Sequence, residues 1–147
     1  MAVDSQYTIL LIEDNPDHAE LMSRCFDELN YSQNIIIVSD GEAALQYLDK
    51  CKNSSDKDEF PKPRLILLDL RLPKKDGMEI LISIKSDPKL RKIPVVVVST
   101  SDSEKDIEQA YINKANSYLV KPYDYNEIKK VIRDVSRYWL EWNQLPS

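Results

Sequence analysis

The chain has 147 residues, 42% of them hydrophobic and 31% charged, a balance that suits one soluble globular domain with a sizeable core. Its net charge of −5 argues against the clustered basic face that a nucleic-acid-binding surface needs, so no nucleic acid is expected as a partner and no DNA-binding effector domain fits in the length. Only two glycines, Gly41 and Gly77, and one histidine, His18, are present; the glycine count removes the glycine-rich dinucleotide and P-loop fingerprints, and the single histidine removes any multi-histidine metal site.

The first apolar run, Tyr7-Thr8-Ile9-Leu10-Leu11-Ile12, predicts a strand over 7–13 that ends in Glu13-Asp14. It is too short for a secretory or membrane-spanning segment, so a cytoplasmic chain without membrane contact is expected. A helix over 16–30 follows, opened by Asn15 with Pro16 at its first helical position and carrying Leu21, Met22, Cys25, Phe26 and Leu29 on one face. His18, in the first turns of that helix, reads as a solvated surface residue. A strand over 34–39 leads into a helix over 41–52, with Ser39-x-x-Glu42 as its capping box. Lys52 through Arg64 is polar, contains Pro61 and Pro63, and reads as an exposed, solvated loop.

The run Leu65-Ile66-Leu67-Leu68-Asp69 predicts a strand over 64–69, buried on both faces, that drives straight into an acid. Burying an isolated carboxylate costs several kcal/mol or raises its pKa, which places Asp69 at the strand's end, beside a crevice. Asp76 opens a helix over 77–86 with Ile80, Leu81 and Ile84 on one face. A strand over 94–99 ends in Ser99-Thr100, and Ser101-x-x-Glu104 reads as the capping box of a helix over 103–114. The last strand, 116–120, ends in Lys121-Pro122 and is followed by a helix over 124–142. Cys25 and Cys51 fall on helices without Cys-x-x-Cys spacing and read as free structural thiols.

Strands alternating with helices in this way make an α/β domain, a doubly wound (βα)₅ with a five-stranded parallel sheet, and such sheets bind ligands beyond the carboxyl ends of their strands. The polar residues named above lie at those ends. Bringing Glu13, Asp14 and Asp69 together crowds three carboxylates, which like-charge repulsion opposes unless a cation sits among them. Oxygen-only ligands select a hard ion, Mg²⁺ in the first place. Lys121 adds a point charge for a phosphate oxygen and Ser99 a hydroxyl. These groups suit charge stabilisation in phosphoryl transfer, with the carboxylate itself as nucleophile and an aspartyl phosphate as product.

Glu13-Asp14, Asp69-x-x-x-Pro73-x-x-Asp76-Gly77, Ser99-Thr100 and Lys121-Pro122, in that order, strongly resemble the receiver domain of two-component response regulators over about residues 7–135 of a single domain spanning 1–147. The resemblance implies a flavodoxin-like fold and Asp69 as acceptor of a phosphoryl group from a sensor histidine kinase. It also implies Mg²⁺ held by Glu13, Asp14, Asp69 and the backbone carbonyl of Arg71, with Lys121 against the phosphoryl group, a cis Lys121–Pro122 peptide, and Ser99 with Tyr118 as the hydroxyl–aromatic switch pair. The stretch from Asp69 to Gly77 and the aromatic end of the last helix resemble the single-domain regulators paired with cyanobacterial phytochromes. Ser99 stands where threonine is common in the family and lacks the methyl that stiffens χ1; Thr100 stands where many receivers have a smaller residue. Two other readings compete. An aspartyl-phosphate phosphatase usually places a second carboxylate two residues after the nucleophile, where this chain has Arg71, and a pseudo-receiver used only for binding would not need the intact acids and lysine.

A helix over 124–142 is about 28 Å long at 1.5 Å per residue. Ile128, Val131, Ile132 and Val135 form its core stripe; beyond about residue 135 the core is expected to run out. Tyr138, Trp139, Leu140 and Trp142 would then form an exposed aromatic surface, read as a homodimer or kinase-docking interface.

Overall fold

The computed structural model describes residues 7–29, 34–54, 59–72 and 76–146. Pro73, part of the motif that carries the resemblance, lies outside them, as do Lys74 and Lys75. Five strands, β1 (Ile9–Ile12), β2 (Ile35–Val38), β3 (Leu65–Leu68), β4 (Val95–Ser99) and β5 (Ser117–Val120), form one parallel sheet in the order β2-β1-β3-β4-β5. The helices between and after them are α1 (Pro16–Glu28), α2 (Gly41–Cys51), α3 (Gly77–Ser86), α4 (Glu104–Ile112) and α5 (Tyr125–Ser136). This is the predicted flavodoxin-like architecture.

Side chains alternate across the central strands. Leu10, Ile12, Ile66, Leu68, Val95 and Val97 face a core shared with Leu48 of α2 and Ile80, Leu81 and Ile84 of α3, while Ile9, Leu11, Leu65, Leu67, Val96 and Val98 face Met22 and Phe26 of α1 and Ile128 and Ile132 of α5. Burial on both faces explains why β1, β3 and β4 read as unbroken aliphatic runs. Full burial of each such side chain contributes roughly 1.5–3 kcal/mol. Both cysteines are free and buried within these cores.

Two expected caps hold and two move. The Asn15 side chain accepts from the backbone N–H groups of Asp17 and His18, and Asp76 accepts from that of Met78. At α2 the cap is Asp40 rather than Ser39, its carboxylate accepting from Ala43 N at 2.7 Å. At α4 it is Ser103, accepting from Asp106 N; the Ser101 hydroxyl instead donates to the Asp106 carboxylate at 2.6 Å. In both cases the helix starts later than the capping-box spacing assumes, so a different polar side chain is within reach of the orphan N–H.

The described part of the 52–64 segment is not the solvated loop expected of it. Pro61 and Pro63 are buried, Tyr47 donates its hydroxyl hydrogen bond to the Pro61 carbonyl at 2.7 Å, and Phe60 meets the Tyr47 ring edge-on under the Lys50 ammonium. Polar composition hid a buried apolar cluster that includes two proline rings and one phenyl ring.

The carboxyl-terminal helix also departs from expectation. α5 ends at Ser136 and continues as a π-helical turn, Arg137–Trp142. The wider turn shifts the angular phase, which carries Leu140, only 3% exposed, into the core beside Val135 and lays Trp139 against it. The core therefore does not run out at residue 135, and Leu140 and Trp139 are packed within the chain's own fold. Tyr138 and Trp142, 53% and 72% exposed, remain as the outward aromatic surface. Among the described residues, no helix is long and apolar enough to cross a membrane.

Candidate functional site

The parallel register pairs Ile12 with Leu68, so the next residues, Glu13 and Asp69, emerge side by side where the chain winds away from the sheet in opposite directions. One ladder bond past that pair, Asp69 N donates to the Ile12 carbonyl at 3.0 Å. The β4–β5 register pairs Ser99 with Val120, and Lys121 N then donates to the Ser99 carbonyl at 2.7 Å, which delivers the lysine to the same end.

Glu13, Asp69 and Lys121 are all buried, and Asp14 is exposed at the rim. Carboxylate oxygens of Glu13, Asp14 and Asp69 lie within 4.8 Å of one another. The Lys121 ammonium donates to Glu13 Oε1 and, at 3.2 Å, to Asp69 Oδ2. The other oxygens are tied to backbone: Asn15 N donates to Glu13 Oε2 at 3.2 Å and Arg71 N to Asp69 Oδ1 at 3.0 Å. Burial pushes the Glu13 carboxyl up to about 7, with the Asp69 charge adding to it and the Lys121 hydrogen bond and charge opposing it. One ammonium does not balance three carboxylates. That surplus of negative charge, presented by oxygen ligands alone, fits a hard divalent cation.

Gly77 closes the floor. Its N–H donates to the Leu70 carbonyl at 3.1 Å, and a Cβ there would lie 2.4 Å from the Asp69 carbonyl oxygen and 2.5 Å from Leu70 Cα. Glycine is required by the close approach of two backbones.

Around this centre, Ser99 is fully buried and its hydroxyl accepts from Ser101 N at 3.1 Å, while the Tyr118 hydroxyl donates to the Ser101 carbonyl at 2.9 Å. The two residues of the expected switch pair thus meet on one peptide segment. The Arg71 guanidinium, largely exposed, reaches Asp106 at 3.3 Å. Tyr138, Trp139, Leu140 and Trp142 are not part of the site; their turn follows α5 and packs with the core.

Two expectations require correction. The described residues contain no cis peptide bond, so Lys121–Pro122 is trans, the form favoured by about 0.5–1 kcal/mol before tertiary contacts act. His18 is half-buried rather than a solvated surface residue, with Nδ1 at 3.0 Å from Lys121 Nζ. The Asn15–Pro16 start sets the phase of α1 so that its first turn brings His18 over the site. A helical start two residues after a pair of acids was the available signal.

The chain matches the response regulator receiver domain family over residues 9–133. It is 43% identical to the probable methanogenesis regulatory protein FilR2 of Methanothrix harundinacea, over 99% of this chain and 92% of that one. It is 38% identical to the response regulator Rcp1 of Synechocystis, over 95% and 92%, and that protein is known in a Mn²⁺-bound form. The phosphorylated cyanobacterial phytochrome response regulator RcpA superposes on it with a TM-score of 0.86 at 38% identity, covering 96% of this chain and 99% of the other. With the acids, the lysine and the buried hydroxyl all at the strand ends that this fold uses, the chain belongs to the receiver domain family of two-component response regulators.

Proposed function

We propose that the chain works as a single receiver unit in which Asp69 accepts a phosphoryl group from the phosphohistidine of a sensor histidine kinase. The observation that carries this reading is a buried carboxylate hydrogen-bonded to a buried lysine within a cluster of three acids. An Asp69 oxygen attacks phosphorus, the phosphorus–nitrogen bond breaks, and the electron pair leaves with the kinase imidazole. Glu13, Asp14, Asp69 and the Arg71 backbone carbonyl would hold Mg²⁺, which when bound supplies charge stabilisation for the transferring group. The Lys121 ammonium contributes a second positive charge, and the Arg71 N–H keeps one Asp69 oxygen oriented. Ser99 and Tyr118 form the switch: both are anchored to Ser101, so a group that recruits the Ser99 hydroxyl disturbs the segment that Tyr118 holds.

The chain is a signalling switch that turns over only its own aspartyl phosphate. Its output is protein contact, its place the cytoplasm, and the phytochrome regulators among its relatives favour a phytochrome-type kinase as partner. With acetyl phosphate and Mg²⁺, intact-mass measurement is expected to show one phosphoryl adduct on the wild type and none on Asp69→Asn. An adduct that survives Asp69→Asn overturns the assignment.

The exposed Tyr138 and Trp142 support homodimer formation through the π-helical turn. Large aromatics at the centre of an interface often contribute about 2 kcal/mol or more each. Trp142→Ala combined with Tyr138→Ala is expected to convert a dimer to monomer in sedimentation while leaving Asp69 labelling intact. A wild type that sediments as monomer both with and without phosphate defeats the dimer.

A further inference from the structure

We propose that His18 is a positioning residue for phosphoryl transfer, the anchor outside the acidic cluster that holds the Lys121 ammonium in place while the carboxylates around it change partners. The inference rests on the reading of Asp69 as phosphoacceptor.

An ammonium group has three donors, and Lys121 has three partners at hydrogen-bonding distance: the carboxylate oxygens Glu13 Oε1 and Asp69 Oδ2, which accept, and His18 Nδ1, which accepts in the Nε2–H tautomer. The three are not equivalent. Glu13 and Asp69 belong to the acidic cluster, so a divalent cation competes with Lys121 for both, and phosphorylation converts Asp69 from a charged carboxylate into an acyl phosphate, a mixed anhydride whose remaining carboxyl oxygen is an uncharged carbonyl. His18 belongs to neither contest. It lies on the first turn of α1, outside the cluster of carboxylates, and can keep its contact with Nζ throughout the cycle.

The surroundings favour that contact. His18 and Lys121 share a cleft with Leu21, Met22, Val98 and Pro122, apolar groups that offer the ammonium no alternative acceptor and lower the local dielectric. Burial and the adjoining Lys121 charge hold the imidazole below its ordinary range, which favours the neutral ring, and a neutral ring facing an ammonium through Nδ1 is best satisfied with its proton on Nε2. The Asn15 side chain fixes the backbone N–H groups of Asp17 and His18 itself, so the ring projects from a capped, ordered turn rather than a frayed one. Holding a charged group in place before the reaction lowers the entropic part of the barrier, and misplacement by about 1 Å can slow a reaction by up to about a hundredfold.

The test compares His18→Leu, which keeps bulk but removes the acceptor, with His18→Asn, whose side-chain oxygen branches from the same carbon position as Nδ1. In the wild type, ¹⁵N NMR of the imidazole is expected to show the Nε2–H tautomer with Nδ1 unprotonated. Labelling by acetyl phosphate is expected to slow about tenfold in His18→Leu and to recover to within about twofold of wild type in His18→Asn. Thermal melts of both variants establish that each is folded. An Nδ1–H tautomer overturns the proposal, as does wild-type labelling by His18→Leu or equal slowing in the two variants. If the wild type itself takes no label, the reading of Asp69 fails, and the tautomer alone then decides whether His18 accepts from Lys121.

Discussion

Gly77→Ala is expected to destabilise the protein by about 3 kcal/mol, the upper part of the range for overpacking a tight site. The added methyl would meet the Asp69 carbonyl oxygen at 2.4 Å, Leu70 Cα at 2.5 Å and the Leu70 carbonyl oxygen at 2.9 Å, and all three are backbone atoms with no rotamer to yield. The clash can be relieved only by moving the start of α3 away from the end of β3, which breaks the Gly77 N–H bond to Leu70 and shifts the peptide that aims Asp69. Urea unfolding should show a lower midpoint with little change in slope. An unfolding free energy within about 0.5 kcal/mol of the wild type would mean that the loop yields freely, and that the glycine is not needed for close approach.

Lys121→Met removes the buried countercharge. Glu13 and Asp69 would then lie buried with no ammonium between them, and breaking a buried pair in this way typically costs about 3–5 kcal/mol. Glu13 already titrates near 7 in the fold, against 4.5 ordinarily, so its protonated form stabilises the native state fully below about 4.5, and that contribution is lost as pH rises through about 7. Without Lys121, which lowers this value, the loss deepens at higher pH. In chelator, the stability gap between wild type and Lys121→Met should therefore be narrower near pH 4.5, where Glu13 no longer needs the countercharge, than near pH 8, and a divalent cation should narrow it. A gap that is constant across this range would mean that the lysine is held by packing rather than by the carboxylates. Loss of phosphoryl acceptance should accompany the change at every pH, since the charge that faces the incoming group is gone.

The acids and the lysine were legible because the α/β winding rule places strand ends together: four apolar runs, each closing on a polar residue, left little freedom for where Glu13, Asp14, Asp69, Ser99 and Lys121 could meet. His18 was not legible in that way. Helical period assigns it to the side of α1, yet its partner is 103 residues away on the far end of β5, and no local pattern records the reach of a lysine. The π-helical turn escaped for a related reason. Tyr138-Trp139-Leu140-Glu141-Trp142 continues an ordinary helical pattern in sequence, and the burial of Leu140 in the core that accompanies the wider turn is a tertiary contact which no local pattern records. The Lys121–Pro122 isomer turns on a difference of about 0.5–1 kcal/mol, too small for neighbouring residues to decide.

The sheet order also divides the site into two parts with different lifetimes. Glu13 and Asp69 follow β1 and β3, strands hydrogen-bonded on both sides and wholly buried, so their amides should exchange with solvent only when the molecule unfolds globally. Lys121 follows β5, an edge strand bonded only to β4 and covered on its faces only in part. Edge strands open by sub-global fluctuations of lower free energy, so the lysine can leave and return while the acids stay fixed. The lifetime of the charge pairing then depends on fraying at one border of the sheet and on the His18 contact that holds the lysine there, rather than on how firmly the centre of the sheet is held.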